Sequence, residues 1–143
     1  MPTLTQPVYF ALLDHARRAA PVEACGYLAE QGGVVAKLVR LTNAAAAPDR
    51  FALIPAEQFA AIRALRAAGY RVCGVYHSHP LGPPELSDAD RLGATDPALF
   101  TLVVSLAGPV PRMTAFTNAD GLREEAIRCI PSDIEPDLAE GPP

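Results

Sequence analysis

Apolar residues recur at helical spacing in two segments of the chain. In residues 7–19 and 55–68, apolar side chains return to one face at successive turns of a 3.6-residue helix. A proline opens each segment, and proline suits the first turn because its missing N–H would be unbonded there anyway. Pro21 and Gly69 then act as stop signals. The pattern predicts two amphipathic helices, with buried stripes of Val8, Leu12, Ala16 and Ala19 in the first and Phe59, Ile62 and Leu65 in the second.

Shorter apolar runs have the length and composition of β-strands. They are bounded by Gly, Pro, Asn and Asp, as strands usually are. The segments 31–33 and 118–121 have the composition of tight turns between neighbouring strands. The runs 71–77 and 99–106 are apolar on both faces, which predicts strands in the centre of a sheet. The predicted strands are 24–30, 34–41, 51–54, 71–77, 99–106, 112–117 and 122–130.

The order of these elements predicts one layered α/β domain with a mixed central sheet flanked by helices. The chain has 143 residues, which is within the usual range of roughly 100–200 residues for a single domain. We expect that domain to span residues 1–130. Residues 131–143 are acidic and rich in proline, so we expect a loose C-terminal extension.

Composition and charge exclude several classes of function. Sixteen acidic residues against twelve basic ones give a net charge of −4, which argues against a nucleic-acid-binding surface. No apolar run is long enough to span a membrane, and the N-terminus lacks the features of a signal peptide. Cys25, Cys73 and Cys129 are widely spaced among apolar neighbours, which is typical of reduced core thiols. We therefore expect a cytoplasmic protein.

Candidate metal ligands follow the central strand. His77 and His79 are two residues apart at its end, so strand alternation places both imidazoles on one face. Pro80 stops the strand, and the loop behind it leads to Ser87 and Asp90 at the start of a short helix. Two histidines and one carboxylate can hold a zinc ion and leave the fourth position open, as in catalytic sites.

Other interpretations of each element are available. Ser87 and Asp90 have the spacing of a helix capping box, which does not exclude a second role for the serine. A His-x-His pair alone is more often an ordinary surface or core feature. The combination of His77, His79 and a capped acid at the end of a buried strand nevertheless favours the metal site.

The segment resembles the signature of the JAMM metalloproteases, the catalytic form of the MPN domain with a cytidine-deaminase-like fold. His77-Ser78-His79-Pro80, six further residues and Ser87-Asp88-Ala89-Asp90 match its spacing without a gap. An upstream Glu23-Ala24-Cys25-Gly26 resembles the form common in compact prokaryotic members. The resemblance covers about residues 5–130. It implies one Zn²⁺ on His77, His79 and Asp90, a catalytic Glu23 and a catalytic Ser87.

The resemblance also implies a reaction and a partner. It predicts hydrolysis of a peptide or isopeptide bond, often after the C-terminal Gly-Gly of a ubiquitin-like or sulfur-carrier protein. Glu23 would serve as general base, and the Ser87 hydroxyl would stabilise the oxyanion. A thin Gly-Gly tail could add as a strand to a sheet edge beside the metal. Members of the family often form homodimers, so a homodimer is a further expectation.

Three alternatives stay open at this point. The chain could be a non-catalytic MPN-type binding or scaffold domain, although all five implied site residues are present. It could also be a RadC-like protein of uncertain activity, although Glu23-Ala24-Cys25-Gly26 argues against that branch. Within the metal site, Cys73 shares strand parity with the two histidines and Cys25 with Glu23. Either sulfur could be a fourth ligand or a redox brake, and a buried apolar role is the default.

Overall fold

The computed structural model describes residues 1–133 and 135–136. The described residues form three helices and one mixed sheet. The helices are α1 (Gln6–Ala19), α2 (Pro55–Ala67) and α3 (Asp88–Gly93). The strands are β1 (Thr3–Thr5), β2 (Cys25–Gln31), β3 (Val34–Leu41), β4 (Arg71–His79), β5 (Phe100–Ser105), β6 (Arg112–Thr117), β7 (Arg123–Glu125) and β8 (Arg128–Ile130). The strand order is β7-β6-β5-β4-β2-β3-β1-β8.

The predicted class is confirmed, because the sheet is mixed and helices cover both of its faces. β4 pairs with β5 in parallel and with β2 in antiparallel orientation, so it is the central strand that its apolar sequence predicts. α1 packs on one face against residues such as Leu28, Leu38 and Leu102. α2 packs on the other face against Tyr27, Val39 and Leu41.

The two long helices start and end for local reasons. The Thr5 side chain accepts a hydrogen bond from the Val8 N–H and so caps α1. Gly69 follows α2 with a φ of 86°, a left-handed conformation that glycine adopts at little cost. The stripe predicted for α1 is largely confirmed, since Val8, Leu12 and Ala16 are buried. The stripe predicted for α2 is partly wrong: Leu65 is buried, whereas Phe59 is 68% exposed.

Two strand predictions are wrong, and one strand was not predicted. Residues 51–54 form no strand, because the backbone of Ala52 bonds within a loop to Ala44 and to the Asn43 side chain. The run 122–130 is divided: β7 extends the β6 edge, and β8 pairs in parallel with β1 at the opposite edge. β1 was not predicted, because three residues are too few to establish a periodic pattern.

Two residues of the C-terminal segment, Glu135 and Pro136, hydrogen-bond to β3. The Leu38 N–H donates to the Pro136 carbonyl at 2.7 Å, and the Lys37 Nζ donates to the Glu135 carbonyl. Residue 134 and residues 137–143 lie outside the described residues. None of the helices in the described part of the chain has the length and apolarity needed to cross a bilayer.

Candidate metal centre

The site lies at the carboxyl end of the central strand. His77 and His79 are the last inward-facing residues of β4, and β2 and β5 fix the strand from both sides. Backbone pairing places His77 opposite Cys25 of β2 and Val103 of β5. The loop after β4 then leads to α3, which brings Asp90 back against the two imidazoles.

Three donor atoms converge at this point. Nε2 of His77 and Nε2 of His79 are 3.2 Å apart, and Oδ2 of Asp90 lies 3.0 Å and 3.1 Å from them. Zinc bonds of about 2.0–2.1 Å in a tetrahedron place neighbouring ligand atoms about 3.3 Å apart. The three atoms therefore have nearly the spacing of one face of a zinc tetrahedron, and their chemistry suits zinc.

The two imidazoles are held differently. Nδ1 of His79 lies 2.8 Å from the Pro83 carbonyl, so a proton on Nδ1 leaves the Nε2 lone pair free for a metal. His77 is fully buried, and its Nδ1 has no hydrogen-bond partner among the described residues. The Phe51 ring stacks on the His77 imidazole with centroids 4.7 Å apart. Burial lowers the pKa of His77, which favours the neutral form that binds metals.

Asp90 and Ser87 form the expected capping box. The Ser87 Oγ accepts from the Asp90 N–H at 3.1 Å, and Asp90 Oδ2 accepts from the Ser87 N–H at 3.0 Å. This cap points Asp90 Oδ2 at the histidines. Burial acts to raise the pKa of Asp90, but the contacts of its carboxylate with the His77 and His79 imidazoles outweigh burial and hold that pKa well below its usual range. Asp90 is therefore an anionic ligand candidate.

Glu23 lies beside this cluster. It is 2% exposed, and its Oε1 has no hydrogen-bond partner among the described residues. A carboxylate oxygen lies within 4.8 Å of the ligand nitrogens of His77 and His79, so Glu23 could itself join a metal site. Burial raises the pKa of Glu23 to about 7; the Asp90 and Asp49 carboxylates add to this rise and His79 opposes it. A buried acid near neutrality is suited to proton transfer.

Two polar residues that hold Glu23 in place were not predicted from the sequence. The Ser78 Oγ accepts from the Ala24 N–H at 2.7 Å, which ties the start of β2 to β4. The Asn43 amide donates to the carbonyls of Glu23 and Arg50, at 3.1 Å and 3.0 Å. An isolated asparagine in an alanine-rich loop gives no periodic signal. Its backbone partners are distant in sequence, so only the folded loop identifies it.

Neither core cysteine joins the cluster. β4 has a bulge in which Leu28 pairs with Gly74 and Ala29 with Val72, so Cys73 is skipped. Cys73 therefore packs in the core on the α1 face, and the prediction that it shares a face with the histidines is wrong. Cys25 is buried and bonds to the Leu41 carbonyl. Cys129 is exposed, so it is not the core thiol that its neighbours suggested.

Two cavities adjoin the cluster. The Phe51 cavity, of about 330 Å³, is lined by His77 and Asp90 together with Arg50, Phe51 and Leu99. The Glu23 cavity, of about 360 Å³, is lined by His79 and Ser87 together with Glu23, Asp49 and Glu85. β2 and β5 pair with the two sides of β4, so the outer strands of the described sheet are β7 and β8.

The sequence is similar to a defined family and to peptidases of known name. A model described as prokaryotic homologs of the JAB domain matches residues 5–119. A desampylase from Haloferax volcanii is 35% identical over 125 residues, which cover 82% of this chain and 88% of that protein. A CysO-cysteine peptidase from Mycobacterium tuberculosis is 35% identical over 101 residues, 69% of each protein.

Solved structures share the fold. A protein from Desulfitobacterium hafniense superposes with a TM-score of 0.83 at 37% identity, and the match covers 92% of this chain and 94% of that chain. A JAB1/MPN domain protein from Archaeoglobus fulgidus gives a TM-score of 0.63 at 17% identity over 90% of this chain and 97% of that one. The second likeness shows the fold alone, and it matches the mixed sheet described above.

Proposed function

The chain belongs to the family of prokaryotic homologs of the JAB domain, and from this premise we propose that it is a zinc-dependent peptidase. The bond cleaved is a peptide or isopeptide bond after the C-terminal Gly-Gly of a ubiquitin-like or sulfur-carrier protein. The observation that carries the proposal is the convergence of His77, His79 and Asp90 beside the buried acid Glu23.

His77, His79 and Asp90 would hold the metal through their three converging atoms. A zinc ion bound there lowers the pKa of a water molecule to about 7 and polarises a carbonyl group. The spacing of the atoms, the neutral His77 and the anionic Asp90 all support this ligand set. Glu23, the fourth candidate, is left free for proton transfer.

Glu23 acts as general base and then as general acid. Its carboxylate takes a proton from the attacking water molecule and passes it to the leaving nitrogen. Its burial and its unpartnered oxygen support this role, because the carboxylate is held at the cluster without a competing hydrogen bond among the described residues. The hydrogen bond donated by Asn43 and the one accepted by Ser78 fix the peptide group that joins Glu23 to Ala24.

Ser87 stabilises the developing oxyanion. Its Oγ accepts the Asp90 N–H in the helix cap, and this use of the oxygen leaves the hydroxyl hydrogen available as a donor. Ser87 lines the Glu23 cavity at the edge of the cluster, which places that hydrogen near a carbonyl bound there. A donor fixed in this way favours the charge that builds up in the transition state.

Relatives named desampylase and CysO-cysteine peptidase support the proposed substrate class. A Gly-Gly tail has no side chains, so it can approach the candidate ligands closely through a cavity of this size. The tail lies in the Phe51 cavity, whose walls include Phe51, Val75 and Leu99. This assignment leaves the Glu23 cavity for the leaving group.

Metal content and cleavage test the proposal together. We expect about one zinc ion per wild-type chain and much less in His79→Ala, with loss of cleavage of a sulfur carrier extended beyond its Gly-Gly. His15→Ala is the matched control, because His15 is the third histidine of the chain and binds Tyr76 away from the cluster. A wild-type protein that takes up no zinc, or that binds zinc and cleaves no carrier, would contradict the proposal.

A further inference from the structure

The two candidate histidine ligands differ in what orients their rings. Nδ1 of His79 lies 2.8 Å from the Pro83 carbonyl, a contact that orients the ring and directs Nε2 towards the cluster. His77 is fully buried, yet its Nδ1 has no hydrogen-bond partner among the described residues. The torsion that turns an imidazole about its Cβ–Cγ bond is broad, so the side chain alone does not fix the plane of the ring. A neighbour must therefore set the orientation of the His77 ring.

The Phe51 ring covers one face of the His77 imidazole. The two ring centroids are 4.7 Å apart, and the ring planes are inclined by 24°. This is a stacked pair at a separation that aromatic side chains favour. A flat ring packed in this way opposes rotation of the imidazole about its Cβ–Cγ bond, because a large rotation drives the edge of the imidazole into the Phe51 ring.

The backbone on both sides of Phe51 is also fixed. The Arg50 carbonyl accepts from the Asn43 side-chain amide at 3.0 Å, and the Ala52 N–H donates to Asn43 Oδ1 at 3.1 Å. The Ala52 carbonyl accepts from the Ala44 N–H at 2.8 Å. The Phe51 side chain itself packs against the apolar cluster between α2 and the sheet. The stacked ring is therefore held in place from its own loop and does not depend on His77 for its position.

We propose, on the basis of the function proposed above, that Phe51 is a positioning residue for the metal centre. Its ring holds the His77 imidazole with Nε2 directed at the other donor atoms. The stack takes the place of the hydrogen bond that orients most metal-binding histidines, and loss of such an orienting neighbour typically lowers metal affinity by about 10- to 100-fold. Phe51 also lines the cavity assigned to the substrate tail, so cleavage rates alone do not separate the two roles.

Zinc affinity, measured by competition with a chelating dye, tests this role without a substrate. Phe51→Leu keeps an apolar side chain but removes the flat ring, and it should raise the zinc Kd about 10- to 100-fold. Phe51→Tyr keeps the ring and should retain the wild-type affinity. Phe100→Leu is the matched control, because Phe100 is a partly buried phenylalanine that packs against the cluster on the α1 face. It loses core packing in the same way but should leave the zinc Kd unchanged.

The visible spectrum of Co²⁺ bound in place of zinc provides a second readout, because its absorption bands depend on the arrangement of the ligands around the ion. At saturating Co²⁺, Phe51→Leu should change these bands. Phe51→Tyr and Phe100→Leu should keep the wild-type spectrum. A loss of general stability does not produce this pattern, because it affects both leucine variants.

Phe51→Met also lacks the flat ring, and it replaces Phe51→Leu in both measurements if the leucine variant does not fold. Wild-type zinc affinity in the variants without the ring would overturn the role of Phe51 and leave the proposed function intact. An equal loss of affinity in Phe51→Tyr would have the same meaning, because the stacked ring would then not be the cause. A wild-type chain that takes up no zinc would overturn both proposals.

Discussion

The side-chain amide of Asn43 donates a hydrogen bond of 3.1 Å to the backbone carbonyl of Glu23. The same side chain accepts the N–H groups of Ala45 and Ala52 through Oδ1 and donates to the Arg50 carbonyl. One asparagine therefore joins the residue proposed as the proton carrier to the loop that presents Phe51 to His77. The position of the carboxylate depends on this loop.

Asn43→Asp removes the donors of this link and keeps the acceptor. We expect kcat to fall roughly tenfold, because small displacements of a catalytic group are costly. Zinc content should be retained, since the ligands are untouched, and KM should change little. Gln31→Glu is the matched control: it removes a similar amide donor to the Gly69 carbonyl at the β2–β3 hairpin, away from the site. Equal effects of the two substitutions on kcat would argue against the positioning role.

Glu23→Gln separates proton transfer from metal binding. The amide has nearly the same shape as the carboxylate but cannot accept and return a proton at neutral pH. We expect kcat to fall by about 10²- to 10⁴-fold while zinc per chain stays at the wild-type value. Glu30→Gln provides the comparison, since Glu30 is a half-buried acid that pairs with Arg71. Unchanged cleavage in Glu23→Gln would remove Glu23 from the mechanism, and loss of zinc would make it a ligand.

Gly26→Ala tests a close approach between β2 and Tyr76. A Cβ at residue 26 would lie 2.2 Å from the Val39 carbonyl oxygen and 2.6 Å from the Tyr76 ring. Backbone cannot move away as a flexible side chain can, so we expect a loss of about 2 kcal/mol or more in the free energy of unfolding. Denaturant unfolding of the variant and the wild type measures this loss. Gly93→Ala, where a Cβ would meet no atom within 4 Å, should cost far less.

The lowered pKa of His15 predicts that the stability of the protein depends on pH. Burial, assisted by Arg40 and opposed by Asp14, lowers the pKa of His15 from 6.5 to about 4. The unfolded chain therefore binds the proton more readily than the folded one, and stability is full above about pH 6.5 and lost as pH falls towards 4. We expect His15→Asn to reduce this loss by about 1–3 kcal/mol. Unfolding of both proteins at pH 7 and pH 4.5 measures the difference, and parallel losses would contradict the assignment.

The local sequence pattern was sufficient to predict the main helices and strands and to identify the candidate metal ligands. Helical spacing predicted α1 and α2, and continuous apolar runs predicted β4 and β5 as central strands. The two-residue period of a strand put His77 and His79 on one face, and the three-residue spacing of a capping box put Asp90 beside Ser87. Each of these spacings extends over only a few residues. The local backbone geometry of a helix, strand or cap determines it, so the sequence pattern is enough to predict it.

The tertiary structure decided what depends on distant neighbours. The bulge in β4 turned Cys73 to the α1 face, which strand parity alone could not reveal. Residues 51–54 took a loop conformation because Asn43 and Ala44 supply their hydrogen bonds, and β8 joined β1 across the sheet. The burial of Glu23 and the cavity beside it also arise from segments that are separate in sequence. Such features follow from long-range packing and hydrogen bonding, for which local periodicity carries no signal.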